Sequence, residues 1–147
     1  MNRDFAQLSG LLNLRTRLFE SLTNEINQGL EASIAMNIEA IQIHDRRKVE
    51  ICQEIHRLHS ALAVIQRGSA ASPAAKDLDE ALKTDVQIRQ LWRESEAARA
   101  EAGRRNRIYE EFLRQAEGTV KVMMNVMSHC LGVYPASVGA LPRERNL

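Results

Sequence analysis

Three side chains in one stretch of the sequence have the types and spacing of a metal site. Cys52, His56 and His59 fall at i, i+4 and i+7. On a helix, a thiol and two imidazoles so spaced share one side and supply three ligands of the kind zinc takes. No second Cys/His cluster provides a closing ligand at recognisable spacing, and Cys52 falls in an apolar row. The plainer reading is a core cysteine with two partly exposed histidines, so no metal and no cofactor are expected. Other chemistries find less support. The residues three before His44, His56, His59 and His129 are Ile41, Gln53, His56 and Val126, so the Glu-x-x-His signature of di-iron bundles is absent. No phosphate-binding loop, dinucleotide fingerprint or Gly-x-Ser-x-Gly elbow occurs. No catalytic residue is expected, and the chain does not read as an enzyme.

Charge is equally uninformative about chemistry. The 147 residues carry 20 basic and 19 acidic side chains, a formal net charge of +1. Such a balance leaves no electrostatic footprint for nucleic acid or an anionic membrane. Asp45-Arg46-Arg47-Lys48 reads as a solvated face. Arg104, Arg105 and Arg107 among Glu94, Glu96 and Glu101 read as an exposed mixed-charge helix, with pairs such as Glu101–Arg105 one helical turn apart. No stretch approaches the roughly 18 apolar residues of a membrane span, and the first residues include Asn2, Arg3, Asp4 and Gln7 rather than a signal-peptide core. A cytoplasmic protein without membrane insertion is expected. Cys52 and Cys130 are far apart and read as buried, reduced thiols.

The strongest binding signal is apolar. Tyr109, Phe112, Leu113, Ala116, Val120, Met123, Met124, Met127 and Leu131 are spaced by ones, threes and fours, as one face of a helix requires. Methionine is long and polarizable and adapts to irregular partners. The stripe reads as a bundle core face on one side and a surface for an amphipathic segment on another.

The elements that must position these residues are helical. Leu8, Leu11, Leu12, Leu18, Phe19, Leu22, Ile26 and Leu30 form the amphipathic row of a first helix, about 4–35, interrupted on that face by Arg15. Ile38, Ile41, Val49, Cys52, Ile55, Leu58, Leu62 and Ile65 form a second, about 37–67, with a turn near Met36 and Asn37 and with Asn37 as N-cap ahead of Glu39. Gly68 reads as a C-cap, and Ser72-Pro73 as the start of a third helix, 73–131. At 1.5 Å per residue that helix would be about 88 Å long against about 45 Å for each earlier one, so a hairpin of the first two covers about half of it. No strand is expected. The expected fold is all-α: an antiparallel helical hairpin plus a long C-terminal helix in an elongated three-helix bundle or coiled coil. It forms one domain, 1–131, followed by a flexible tail, 132–147, disordered when free.

The order of these parts resembles the FlgN-type flagellar export chaperones. A leucine-rich first helix, a short polar break and the helix "NIEAIQIHDRRKVEICQEIHRL" precede "RRNRIYEEFLRQAEGTVKVMMNVM", and "GVYPASVG" follows shortly after. Asn106 would match that family's characteristic asparagine and Tyr134 its tail tyrosine, although Pro135 stands where a glycine is common. The resemblance implies a cytoplasmic chaperone that binds the C-terminal helical region of hook-filament junction proteins, prevents their premature assembly and delivers them to the export gate. Carried over to this chain, Asn106, Tyr109, Phe112, Leu113, Val120, Met123, Met124 and Met127 become partner-binding residues, and Tyr134 a residue that docks on the flagellar export apparatus. The rival reading is a self-associating helical structural or adaptor protein, a homodimer through the same stripe without a client.

Overall fold

The computed structural model describes residues 3–67 and 77–131, and within them every regular element is a helix. Helix α1 is Arg3–Ile34, α2 is Ile38–Arg67, α3 is Asp77–Thr84 and α4 is Val86–Leu131. The fold is all-α with bundle packing. Gly68, Ser72, Pro73 and Tyr134 lie outside the described residues.

The α1–α2 turn is built by its own backbone. Asn37 N–H donates to Ala32 O at 2.9 Å and Met36 N–H to Ser33 O at 3.1 Å, the paired bonds that satisfy the last carbonyls of a helix. This closure needs a left-handed residue, and Met36 takes that place with φ 54°, a position where a Cβ costs about 1 kcal/mol. Asn37 then caps α2: its Oδ1 accepts from Ala40 N–H at 3.1 Å. The helices return antiparallel, because Glu25 meets His44 and Arg15 meets His59 across the hairpin.

The expected third helix is instead two. Asp85 stands between α3 and α4 with its Oδ1 accepting from Gln87 N–H at 2.8 Å and Ile88 N–H at 3.2 Å, so it caps α4. Arg89 reaches back to α3, donating to Leu82 O at 2.9 Å and Lys83 O at 2.8 Å. One side chain starts the new helix and another closes the old one, which fixes the break. Beyond it α4 runs unbroken through Gly103 to Leu131.

The chain divides into two compact units: one runs through Arg107, the other from Ile108. The first holds the core. Leu8, Leu12 and Phe19 of α1 pack with Ile55, Leu58 and Leu62 of α2, with Leu78 and Ala81 of α3 and with Ile88 and Ala102 of α4. On α4 the buried row repeats every seven residues, the spacing that keeps one face on a neighbouring helix. Ile88, Ser95 and Ala102 are at most 4% exposed, so the stretch 93–107 packs one row inward while Arg104, Arg105 and Arg107 stay on its exposed face, Arg104 and Arg105 pairing with Glu101.

Candidate functional site

The second unit, taken by itself, shows residues 108–131 of α4 with a largely exposed apolar surface. Leu113, Val120, Met123, Met124 and Met127 are all exposed, as are Ile108, Val122 and Val126 off the expected stripe. From Thr119 to Met127 the only polar side chains are Thr119, Lys121 and Asn125, so the helix there is apolar nearly all round, a pattern that belongs to covered helices. Covering one such side chain fully is worth about 1.5–3 kcal/mol. Charged groups concentrate earlier, where Glu111 pairs with Arg114 at 2.6 Å and Glu117 with Lys121 at 2.9 Å.

The sequence-expected partner residues therefore separate by burial. Leu113, Val120, Met123, Met124 and Met127 are open. Phe112 and Ala116 are half-buried. Tyr109 is 5% exposed, so its ring is not available as a contact in this conformation. Asn106 belongs to the first unit and is half-buried there.

Within the first unit, α1, α2 and the early part of α4 enclose an open slot of about 920 Å³. Phe19, Leu22 and Ile26 form its floor from α1, and Ala102, Gly103 and Asn106 form one wall from α4. The other wall is α2, with Val49 and Cys52 facing the space. Cys52 is thus an exposed free thiol rather than a core residue, and Cys130 is exposed and free as well. His56 lines the slot while His59 bonds to Arg15, so the two imidazoles serve different surroundings. Among the described residues no three His, Cys, Asp or Glu side chains come together as a metal cluster. At the rim Lys48 pairs with Asp45 at 2.7 Å, and Arg99 lies 3.7 Å from Glu96.

The interruption at Arg15 proves to be a junction of three helices. Its guanidinium is buried, donating from Nη1 to Ser95 Oγ and from Nη2 to Glu96 Oε1, both at 2.6 Å. Nε donates to His59 Nε2 at 3.5 Å. The cation also lies over the Trp92 ring at 4.9 Å from its centroid and over Phe19 at 5.4 Å, a geometry that attracts charge to the ring face. Ser95 Oγ passes its own proton to Trp92 O at 2.9 Å. A smaller cavity of about 230 Å³ adjoins this junction beside Trp92 and Leu78. Every donor of the group points at a partner or along an aromatic face, so its role is to join α1, α2 and α4. His59 is held below the ordinary histidine range first by desolvation and then by the Arg15 charge, with Arg99 and His56 adding and Glu96 opposing.

A second polar node ties the far end of the hairpin. His44 Nδ1–H donates to Glu25 Oε2 at 2.6 Å, and Arg47 lies 3.7 Å from the other oxygen of that buried carboxylate. The Asp45–Lys48 run is thus partly structural.

Sequence reasoning missed the slot and the Arg15 junction. The available signal for the junction was the row Ser95, Ala98, Ala102, small residues at helical spacing that permit close approach beside a lone arginine in an apolar row. No protein-family model, curated protein or solved structure matches this chain, and no helix among the described residues is long and apolar enough to cross a membrane.

Proposed function

We propose that this chain is a non-enzymatic export chaperone that binds the C-terminal helical region of flagellar hook-filament junction proteins, prevents their premature assembly and delivers them to the export gate. The observation that carries the binding part is the exposed apolar surface of Leu113, Val120, Met123, Met124 and Met127. A client helix exposed before assembly would aggregate through its apolar face. A helix presenting flexible methionines covers that face without demanding one fixed geometry. The flagellar assignment of the client comes from the resemblance of "RRNRIYEEFLRQAEGTVKVMMNVM" and the tail around Tyr134 to the FlgN-type chaperones.

The test is calorimetric titration of the chain with the C-terminal helical segment of a hook-filament junction protein from the same genome. The wild type should bind, whereas Phe112→Asp and Met124→Asp should each weaken binding more than about tenfold, a hot-spot loss, with helicity retained by circular dichroism. Equal binding by wild type and both variants would overturn the site, and absence of binding by the wild type would overturn the client. Tyr134→Ala should leave this titration unchanged and reduce motility in the host. The exposure of Val122 and Val126 beyond the stripe favours one second reading, self-association. Light scattering that gives a dimer, together with no client binding, would select it.

A further inference from the structure

The slot in the first unit has the form of a four-helix bundle from which one helix has been left out. Its α1 floor uses residues 19, 22 and 26, and its α4 wall residues 99, 102, 103 and 106, each set one face of a helix. On α2 the facing residues run from Asp45 to Arg57 in steps of one, three and four. That is a stretch of about 18 Å at the helical rise, enough for three turns of a helix lying alongside. Three helical faces converging on one open, apolar-floored space are the geometry of helix-in-groove recognition.

Charge selects the occupant. The lining contains Lys48, Arg57 and Arg99 against the single carboxylate of Asp45. Asp45 is already engaged by Lys48, and Arg57 makes no ion pair among the described residues. Residues 68–76 and 132–147 do not match this rim. Residues 132–147 contain Pro135 and Pro142 and, apart from Glu144, no acidic side chain, and residues 68–76 contain none. We propose that the slot binds an amphipathic α-helix of another protein, with its apolar face on Phe19, Leu22 and Val49 and acidic residues along the flank that meets Arg57 and Arg99. The lining of this site shares no residue with the stripe at 113–127.

Two features of the slot make the proposal testable in the full-length protein. Cys52 lies inside it and Cys130 outside, so alkylation of the two thiols reports occupancy against an internal control. Gly103 lines the slot and has open space where a Cβ would stand, so a large side chain there would occupy slot space.

The probes are two 18-residue synthetic helical peptides with the same leucine stripe, one flanked by glutamates and the other by lysines. The glutamate peptide should bind at least about tenfold more tightly than the lysine peptide, the discrimination expected of complementary charge. It should slow alkylation of Cys52 but not of Cys130. Arg57→Glu should abolish the preference, and Gly103→Trp should block binding while Gly103→Ala does not, with urea midpoints verifying that both Gly103 variants are folded. Met124→Asp should leave all of these readings unchanged. Equal binding of the two peptides, unchanged Cys52 reactivity, or undiminished binding by Gly103→Trp would each overturn the proposal. So would a dimer in which Cys52 is protected without peptide, because the occupant would then be a second copy.

Discussion

Ser95 and Met123 lie on one seven-residue row of the same helix, yet Ser95 is sealed and Met123 is 58% exposed. Before Arg107, α4 places Ser95, Ala98 and Ala102 along its inward row. Beyond Ile108 the row continues through Tyr109, still only 5% exposed, to half-buried Ala116 and then Met123, so burial is lost past Tyr109. Burial along this row therefore does not follow side-chain size, since Ile88 and Tyr109 are sealed together with Ser95 and Ala102. Small residues serve the chain's own packing because they allow helices to approach and leave room for the Arg15 guanidinium. Past Tyr109 the large apolar side chains Val120, Met123 and Met127 stand exposed, where a helix needing only solubility would carry charge.

The largest effect should come from breaking the junction that the small residues accommodate. Arg15→Ala removes hydrogen bonds to Ser95, Glu96 and His59 and the packing over Trp92 and Phe19, and should cost about 3–4 kcal/mol by urea denaturation. Arg15→Met keeps the stem and should recover only the packing part of that loss, because Ser95, Glu96 and His59 still lose their donor. A loss below about 1 kcal/mol for Arg15→Ala would show that the guanidinium is not a structural tie.

Two substitutions on the seven-residue row test the contrast directly. Ala102→Leu inserts methylenes into the close approach and should cost about 1–3 kcal/mol. Met123→Ala deletes as many non-hydrogen atoms as Ala102→Leu adds, yet should change stability by no more than about 0.5 kcal/mol, as an exposed site does. Similar losses in the two variants would mean that residues beyond 108 belong to the core, and the case for a partner surface would fall.

How far these features could be read from the chain follows the same division. Leucine and isoleucine at three- and four-residue steps announced α1 and α2, and Asn37 announced the turn, because each acts through local geometry. The packing of 93–107 was illegible since Ser95 and Ala102 contribute little hydrophobicity and act by what they permit. Arg15 was visible as an interruption, but its partners are 80 and 81 residues away. Val49 and Cys52 read as core because periodicity shows which face is apolar, not whether a neighbour fills the space before it. The break at Asp85 was overlooked although Thr84-Asp85 has the residue type of an N-cap. Of the expected partner residues, five are exposed, but type and spacing alone do not separate them from a buried one. The burial of Tyr109, on the same row, depends on tertiary structure that periodicity does not carry.

Glycines allow the comparison to be sharpened with a smaller perturbation. Gly10 and Gly118 both lie within helices with open space at the missing Cβ, so alanine at either should favour the helix by about 0.5–1 kcal/mol. Gly10→Ala should raise the urea midpoint of the main transition. Gly118→Ala should increase ellipticity and leave that midpoint unchanged if residues beyond 108 open independently. An equal rise in both midpoints would join the two regions into one cooperative unit.

The smallest effect concerns the one titrating group at the junction. His59 accepts a hydrogen bond from Arg15 at Nε2, which only the neutral ring can do, and desolvation together with the Arg15, Arg99 and His56 charges lowers its pKa against the opposing pull of Glu96. The unfolded chain, with an ordinary value of about 6.5, therefore takes up a proton before the folded one does. The stability tied to neutral His59 is complete above about pH 6.5 and is lost as the pH falls toward the lowered folded value. The ring is largely exposed, so water screens much of the repulsion and the change in Tm should be only about 1–2 °C. His59→Gln should flatten this part of the Tm–pH curve between about pH 7 and 5. Parallel curves for wild type and variant would show that Arg15 swings clear when the imidazole charges, making the junction more adaptable than its two 2.6 Å bonds to Ser95 and Glu96 imply.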